Sequence, residues 1–276
     1  MTEAPAKWRI LRTQPAVGAW NMAVDEAILE STAQGLMPPT LRLYAWAPAC
    51  LSLGYAQSAD DVDFEKINHF GWDIVRRPTG GRAILHTNEL TYSICGRNSN
   101  PLLTGSVLES YKRLSQGLLE ALHQVGVTAD VPRLSADQQY QGTQNPVCFE
   151  VPSNYEITVG EKKLIGSAQA RRKSGVLQHG SLPLSGDLTR IIDVLHYPDQ
   201  TSRKQARQGL LDHATTLEGV LGYPGDWWLI SYAFQDAFQR TLNIDFQSLP
   251  LSPAEGSRAI QLFNEKYAHS EWTNKR

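Results

Sequence analysis

Cysteine is scarce in this chain: three in 276 residues, at Cys50, Cys95 and Cys148. The count is odd and no pair has metal-ligand spacing, which excludes a disulfide framework or a zinc site and points to reduced thiols in a cytoplasm. Long apolar runs are absent as well. None approaches the roughly 18 residues of a membrane-spanning helix, so no membrane is expected as a partner. The opening MTEAPAKWRI lacks the basic start and apolar stretch of a secretory signal. Charge of one sign is missing too: a net charge of −2 offers no global basic field to nucleic acid. Nor do His86, His123 and His179 form a metal spacing, and there is no repeat or low-complexity run.

What is present is an ordinary globular balance, 41% hydrophobic and 20% charged, in a chain long enough for one large domain with an appendage. WNMAVDEAILES, from Trp20, puts Trp20, Val24, Ala27 and Ile28 on one face of a helix. TLRLYAW alternates and predicts a half-buried strand, followed after Pro48 by a second strand, CLSLGY. WDIVRR and ELTYSIC are two more, on either side of a glycine loop. A helix runs from Ser106 to about Val125, with Ser106 and Glu109 as a capping box and Gly126 as its stop. NYEITV and KKLIGSAQA form a hairpin about Gly160 and Glu161, and GVLQHGSLPL is a further strand. From about Asp187 the pattern turns mainly helical. Strands with few helices between them make the class α+β, with mixed or antiparallel sheets flanked by helices. The expected division is a main domain over 1–186 and a helical C-terminal segment over 187–276 packed on it.

Three places carry candidate chemistry. RRPTGGRAILH, Arg76 to His86, has two adjacent glycines that free the backbone for close approach to a ligand. It runs into a strand rather than a helix, so it is no phosphate loop of the usual kinds, and it reads equally as a plain turn with solvated arginines. Cys148 lies between Pro146 and Pro152, in a loop setting where functional residues concentrate. Even so, pattern alone favours a buried apolar thiol, the reading that also fits Cys50 and Cys95. Lys163 opens KLIGSAQ, and strand alternation turns its neighbour Lys162 the other way. His179 can line the same sheet as Lys163, whereas His123 falls off its helix stripe and is expected in solvent.

Taken as a set, these stretches resemble the lipoate–biotin protein ligase superfamily. The matching pieces are NMAVDEA, LSLGYAQ, RRPTGGRAILH, NELTYS, CFEVPSNYE, KLIGSAQARR, VLQHGSL and NEKYAHSEWT, in family order along nearly the whole chain. Within it the chain is most similar to octanoyltransferases of lipoyl assembly that carry an internal cysteine, the LipM type. The resemblance implies a fold like that of class II aminoacyl-tRNA synthetases and biotin protein ligases. It implies Cys148 as the acyl-accepting nucleophile and Lys163 as the contact to the acyl carbonyl. Arg77, Thr79, Gly80, Gly81 and His86 would line the acyl pocket, with His179 beside them. Gly166, Ser167 and Ala168 would supply backbone N–H groups to an oxyanion. The donor would be octanoyl-acyl carrier protein and the acceptor a lipoyl domain, glycine-cleavage H protein or a dehydrogenase E2, with no cofactor. Arg82 departs from the pattern, standing where ligase relatives commonly have a third glycine. Two alternatives stay open: an ATP-dependent lipoate–protein ligase, and a silent binder of acylated carrier domains. A biotin ligase fits less well, because the loop lacks that family's GRGR-type run.

Overall fold

The computed structural model describes residues 4–131 and 156–275; Cys148 and the residues around it lie outside them. From the N-terminus come β1 (Ala6–Arg12), α1 (Gly18–Gln34), β2 (Thr40–Tyr44) and β3 (Cys50–Leu53). A short α2 (Phe64–His69) leads to β4 (Asp73–Arg76), the glycine loop, β5 (Ile84–His86) and β6 (Glu89–Arg97). α3 (Val107–Gln124) opens with the expected capping box: Ser106 Oγ accepts from the Glu109 N–H, and the Glu109 carboxylate accepts from the Ser106 N–H. Gly126, at φ 85°, ends it. β7 (Glu156–Val159), β8 (Lys162–Arg171) and β9 (Gly175–Pro183) follow. The remainder holds α4 (Gln200–His213), α5 (Leu217–Leu221), α6 (Trp227–Leu242), β10 (Ile244–Ser248), α7 (Pro253–Leu262) and α8 (Ser270–Thr273). No helix among the described residues is long and apolar enough to cross a membrane.

Seven strands make one mixed sheet in the order β10-β1-β2-β6-β9-β8-β7, and β4-β3-β5 make a second, smaller one. β1 is parallel to both its neighbours, while β2, β6, β9, β8 and β7 are successively antiparallel. Helices cover both faces of the large sheet. Leu41, Leu43 and Ile10 pack with Leu114, Leu118, Phe234 and Phe238 of α3 and α6. Leu11 and Tyr44 point the other way, into a cluster with α1 and with Ala259 and Leu262 of α7. A third cluster joins Leu51 and Leu53 of the small sheet to Ile67, Ile191 and Leu210.

Double coverage corrects two expectations. β2 is buried along its whole length instead of half-buried, because its polar side also meets helices. On that side Arg42 Nη1 donates to Asp25 Oδ1 at 2.7 Å, which neutralises a guanidinium no water reaches. α1 likewise is buried almost all round, since α7 lies against the face that the apolar stripe leaves over. The C-terminal segment, expected to be mainly helical, also supplies β10, which pairs Ala6 with Ile244 through Ile10 with Ser248.

Candidate active site

The two sheets border a cavity of about 500 Å³ that α1 and α3 also line. Met22, Tyr44, Trp46, Ile84, Val107 and Ala168 give it apolar walls. Of the residues singled out in the sequence, Arg77, Gly80, Gly81, His86, Lys163, Gly166, Ser167, Ala168 and His179 all line it. Thr79 stands directly behind, its Oγ1 2.5 Å from His179 Nε2. Cys148 falls outside the described residues.

The glycine loop is fastened rather than open. Arg77 Nη2 donates to the Gly80 carbonyl at 2.9 Å and the Arg82 carbonyl at 2.7 Å. Its Nη1 donates to the carbonyl and the Oγ of Ser52. The loop rests on Gly54, where an added Cβ would lie 1.8 Å from the Gly81 carbonyl oxygen. Only a glycine fits there.

His86 is fixed at both ring nitrogens. Nδ1 lies 2.8 Å from Glu89 Oε1, and Nε2 lies 2.7 Å from Ser52 Oγ. Burial alone would raise the Glu89 carboxyl, but His86 and the Thr91 hydroxyl outweigh it and hold it below its ordinary value. The ring stacks on Trp46 with centroids 4.0 Å apart. With both nitrogens engaged, His86 is a wall of the cavity and not a base facing it.

His179 belongs to a second buried network. Burial pushes its pKa down, which leaves the ring neutral, with Nδ1 3.8 Å from Asp25 Oδ2 and Nε2 accepting from Thr79. Asp25 also accepts from Arg42, Ser93 and Tyr44. Burial would raise this carboxyl, yet Arg42 and His179 bring it below the usual range. Asp25 therefore anchors the wall that carries Thr79 and the glycine loop.

Lys163 is buried, and its Nζ donates to Glu156 Oε1 at 2.8 Å. Lys162 leaves on the opposite side and donates to the Leu211 carbonyl. A register shift between Ile157 and Thr158 makes Leu164 an extra residue in β8, and Leu164 and Ile165 both enter the same core. Such bulges re-aim side chains beside sites. Past Glu156 and Gly166, β8 pairs only with β9 among the described residues. Alternate N–H groups along Gly166–Gln169 thus point away from that ladder.

Asp25, Glu89, Ser52 and Glu156 were not singled out by sequence reasoning. The signal existed for two of them: a carboxylate set among small and apolar residues in NMAVDEA, and another just ahead of the strand ITV. Cys50 and Cys95 are fully buried, and burial pushes both thiols well above the ordinary value, so neither is a reactive thiol.

Comparison with known proteins adds independent findings. Residues 18–239 match the family described as lipoyl protein ligase A/B catalytic domain. A protein from Kyrpidia tusciae named octanoyltransferase LipM is 40% identical over 268 residues, 96% of this chain and 97% of that one. The octanoyltransferase LipM of Bacillus subtilis is 35% identical over 98% of each. Among solved structures, a bipartite lipoate protein ligase from Thermoplasma acidophilum, described with its E2 lipoyl domain, superposes with TM-score 0.82 at 25% identity. It covers 98% of this chain and 96% of its own. Lipoate-protein ligase A bound with ATP gives 0.79, also at 25% identity, covering 97% and 98%.

Proposed function

The chain belongs to the lipoyl protein ligase A/B catalytic-domain family, and we propose that it works there as an octanoyltransferase of lipoate assembly that holds the acyl group as a thioester on Cys148. The Cys148 thiolate attacks the thioester carbonyl of octanoyl-acyl carrier protein and expels the carrier's thiol. The ε-amine of a lysine on a lipoyl domain then attacks the new thioester, forms the amide, loses a proton and releases Cys148. The lipoyl domain is that of glycine-cleavage H protein or of a dehydrogenase E2. A thioester donor is already activated, so the sequence of steps needs no ATP. Three cysteines in 276 residues, an odd and sparse count, suit a cytoplasmic enzyme.

The observation that carries this reading is an apolar cavity bordered by a buried lysine, in a chain similar over 96% of its length to a named octanoyltransferase. Burying an eight-carbon tail at about 0.8 kcal/mol per CH₂ supplies roughly 5 kcal/mol for holding donor and intermediate. Lowering the thiol from about 8.5 to about 6.5 would raise its thiolate fraction at pH 7 roughly 25-fold. Weaker intrinsic nucleophilicity takes back about eightfold of that. Glu156, paired with Lys163, offsets part of the lysine's field as well. Lys163 therefore contributes chiefly as a positioned donor to the acyl oxygen, with N–H groups of Gly166–Ala168 beside it.

The deciding experiment mixes the protein with octanoyl-carrier protein and no acceptor. Its mass should rise by one octanoyl group, removable with hydroxylamine as a thioester is. Cys148→Ala should lose the adduct and the transfer, while Cys50→Ala and Cys95→Ala keep both. Full transfer by Cys148→Ala, now dependent on ATP, would replace this reading with a lipoate–protein ligase.

A further inference from the structure

The chain carries a net charge of −2, yet cations gather beside the cavity. Arg82 lines it. Arg171 donates from Nε to Gln169 Oε1 at 2.9 Å, and Gln169 lines it too. Beyond Arg171 the β8–β9 turn exposes Arg172 and Lys173. From the C-terminal side, Lys275 Nζ donates to the Tyr55 hydroxyl at 3.1 Å and lies over the Tyr55 and Trp272 rings. Tyr55 is itself tied to the glycine loop, its N–H donating to the Thr79 carbonyl at 2.9 Å. The exposed Tyr55 phenol is lowered below its ordinary pKa by the Lys275 hydrogen bond first, with the charges of Arg172 and Lys266 adding to it. Hairpin and C-terminus thus bring positive charge to one place from two sides. Among the described residues, two carboxylates lie with them: Glu26, which pairs with Lys266, and Glu109, which caps α3 near Arg171.

Resting on the transfer reading above, we propose that this cationic rim is the dock for the donor's carrier domain, an acidic protein domain that presents its acyl group on a phosphorylated arm. Clustered cations on a chain of opposite net charge steer and orient an anionic partner. Arginine is the side chain best matched to a phosphate passing the mouth. Arg82 lines the cavity and Arg171 bonds Gln169 of its wall, so a domain bound beside them presents its arm to the cavity. The last turn, α8, serves the same surface: Arg76 holds it by donating to the Thr273 carbonyl from both Nε and Nη2, which sets the direction of Lys275.

The test compares two donors, octanoyl-carrier protein and octanoyl-pantetheine, the second having the thioester but neither protein nor phosphate. At low salt, Arg172→Glu with Lys275→Glu should lower kcat/KM for the carrier-borne donor about tenfold or more, and leave octanoyl-pantetheine within about twofold. The loss should shrink as salt is added. Equal losses on both donors, or none on either, would overturn the docking role. Titration calorimetry with the unacylated carrier domain decides the surface even without any transfer. Affinity falls in the variant if the rim is the dock and stays level if it is not. Absence of transfer from both donors with the unmodified protein would count against the acyl-transfer reading alone.

Discussion

Lys163 Nζ lies 2.8 Å from Glu156 Oε1 across the β7–β8 hairpin, with both side chains about 95% buried. A buried ammonium is stable only with such a partner, and the carboxylate in turn fixes where the ammonium points. Lys163→Ala should abolish octanoyl transfer, while Lys162→Ala, which touches the outer surface, leaves it nearly intact. Lys163→Arg should not restore activity, because a planar guanidinium is a poor substitute for a compact ammonium. Glu156→Ala leaves a charge buried without its carboxylate and should destabilise the fold by about 3–5 kcal/mol in denaturant titrations. Equal activity losses for Lys162→Ala and Lys163→Ala would refute the assigned facing.

The glycine loop offers a steric test. Gly54→Ala would force the Gly81 carbonyl aside, since the new Cβ has only 1.8 Å. Circular dichroism should show the fold retained, and kcat/KM should drop roughly 10- to 100-fold, the scale of a misplacement near 1 Å. Wild-type kinetics in this variant would mean the loop's position is unimportant.

Arg77→Ala and His86→Ala act on the same wall by removing its fastenings. Neither residue exchanges bonds with the acyl group, so both variants should raise the donor KM more than they lower kcat. An unchanged KM in both would reduce the loop to a structural turn.

Acid should weaken the protein through Asp25 and His179 together. Asp25 has a folded pKa below its unfolded value of about 3.9, so its contribution is complete above that value and is lost as pH falls through the folded one. His179 has a folded pKa below about 6.5, so the unfolded chain takes up that proton first and stability declines from about pH 6.5 downward. The two effects share a sign. Melting temperature should hold level between about pH 8 and 7 and fall progressively below about 6.5, with His179→Gln removing the earlier part of the fall. A flat profile down to about pH 5 would contradict the buried, neutral ring.

Arg9 and Glu255 form a fully buried pair, with Nη1 to Oε2 at 2.8 Å and Nη2 to Oε1 at 2.6 Å. It joins β1 to α7. Arg9→Met alone should cost about 3–5 kcal/mol in equilibrium unfolding, and the double variant Arg9→Met/Glu255→Leu should recover most of it. Additive losses would show that the pair is not coupled.

Legibility in the sequence followed the range of the interaction. The Ser106–Glu109 capping box and the turn at Gly160 and Glu161 are local, and they were readable as written. Cys50 and Cys95 were readable as buried because strand-like runs surround them. Nine of the residues that line the cavity were named through motifs spread along the chain. Arg42 looked like a solvent-facing strand residue, because only the fold brings α1 and α7 over that side. β10 was missed for a similar reason: its partner β1 lies more than 200 residues earlier, and no local pattern announces a parallel pairing. The bulge at Leu164 and the partnership of Glu156 with Lys163 depend on register, which periodicity alone does not specify.

The pairing of β1 with β10 also governs what happens during synthesis. β2 is available to one edge of β1 as soon as both have left the ribosome, but the other edge waits for residues 244–248. At about 5–20 residues per second, the nascent chain carries that open edge for roughly 10 to 50 seconds. Arg9 spends the same interval without Glu255, which arrives later still. An uncovered strand edge is a template for pairing with a neighbouring chain. A ribosome that stalls before Ile244 therefore releases a product exposed to aggregation, however complete its cavity is.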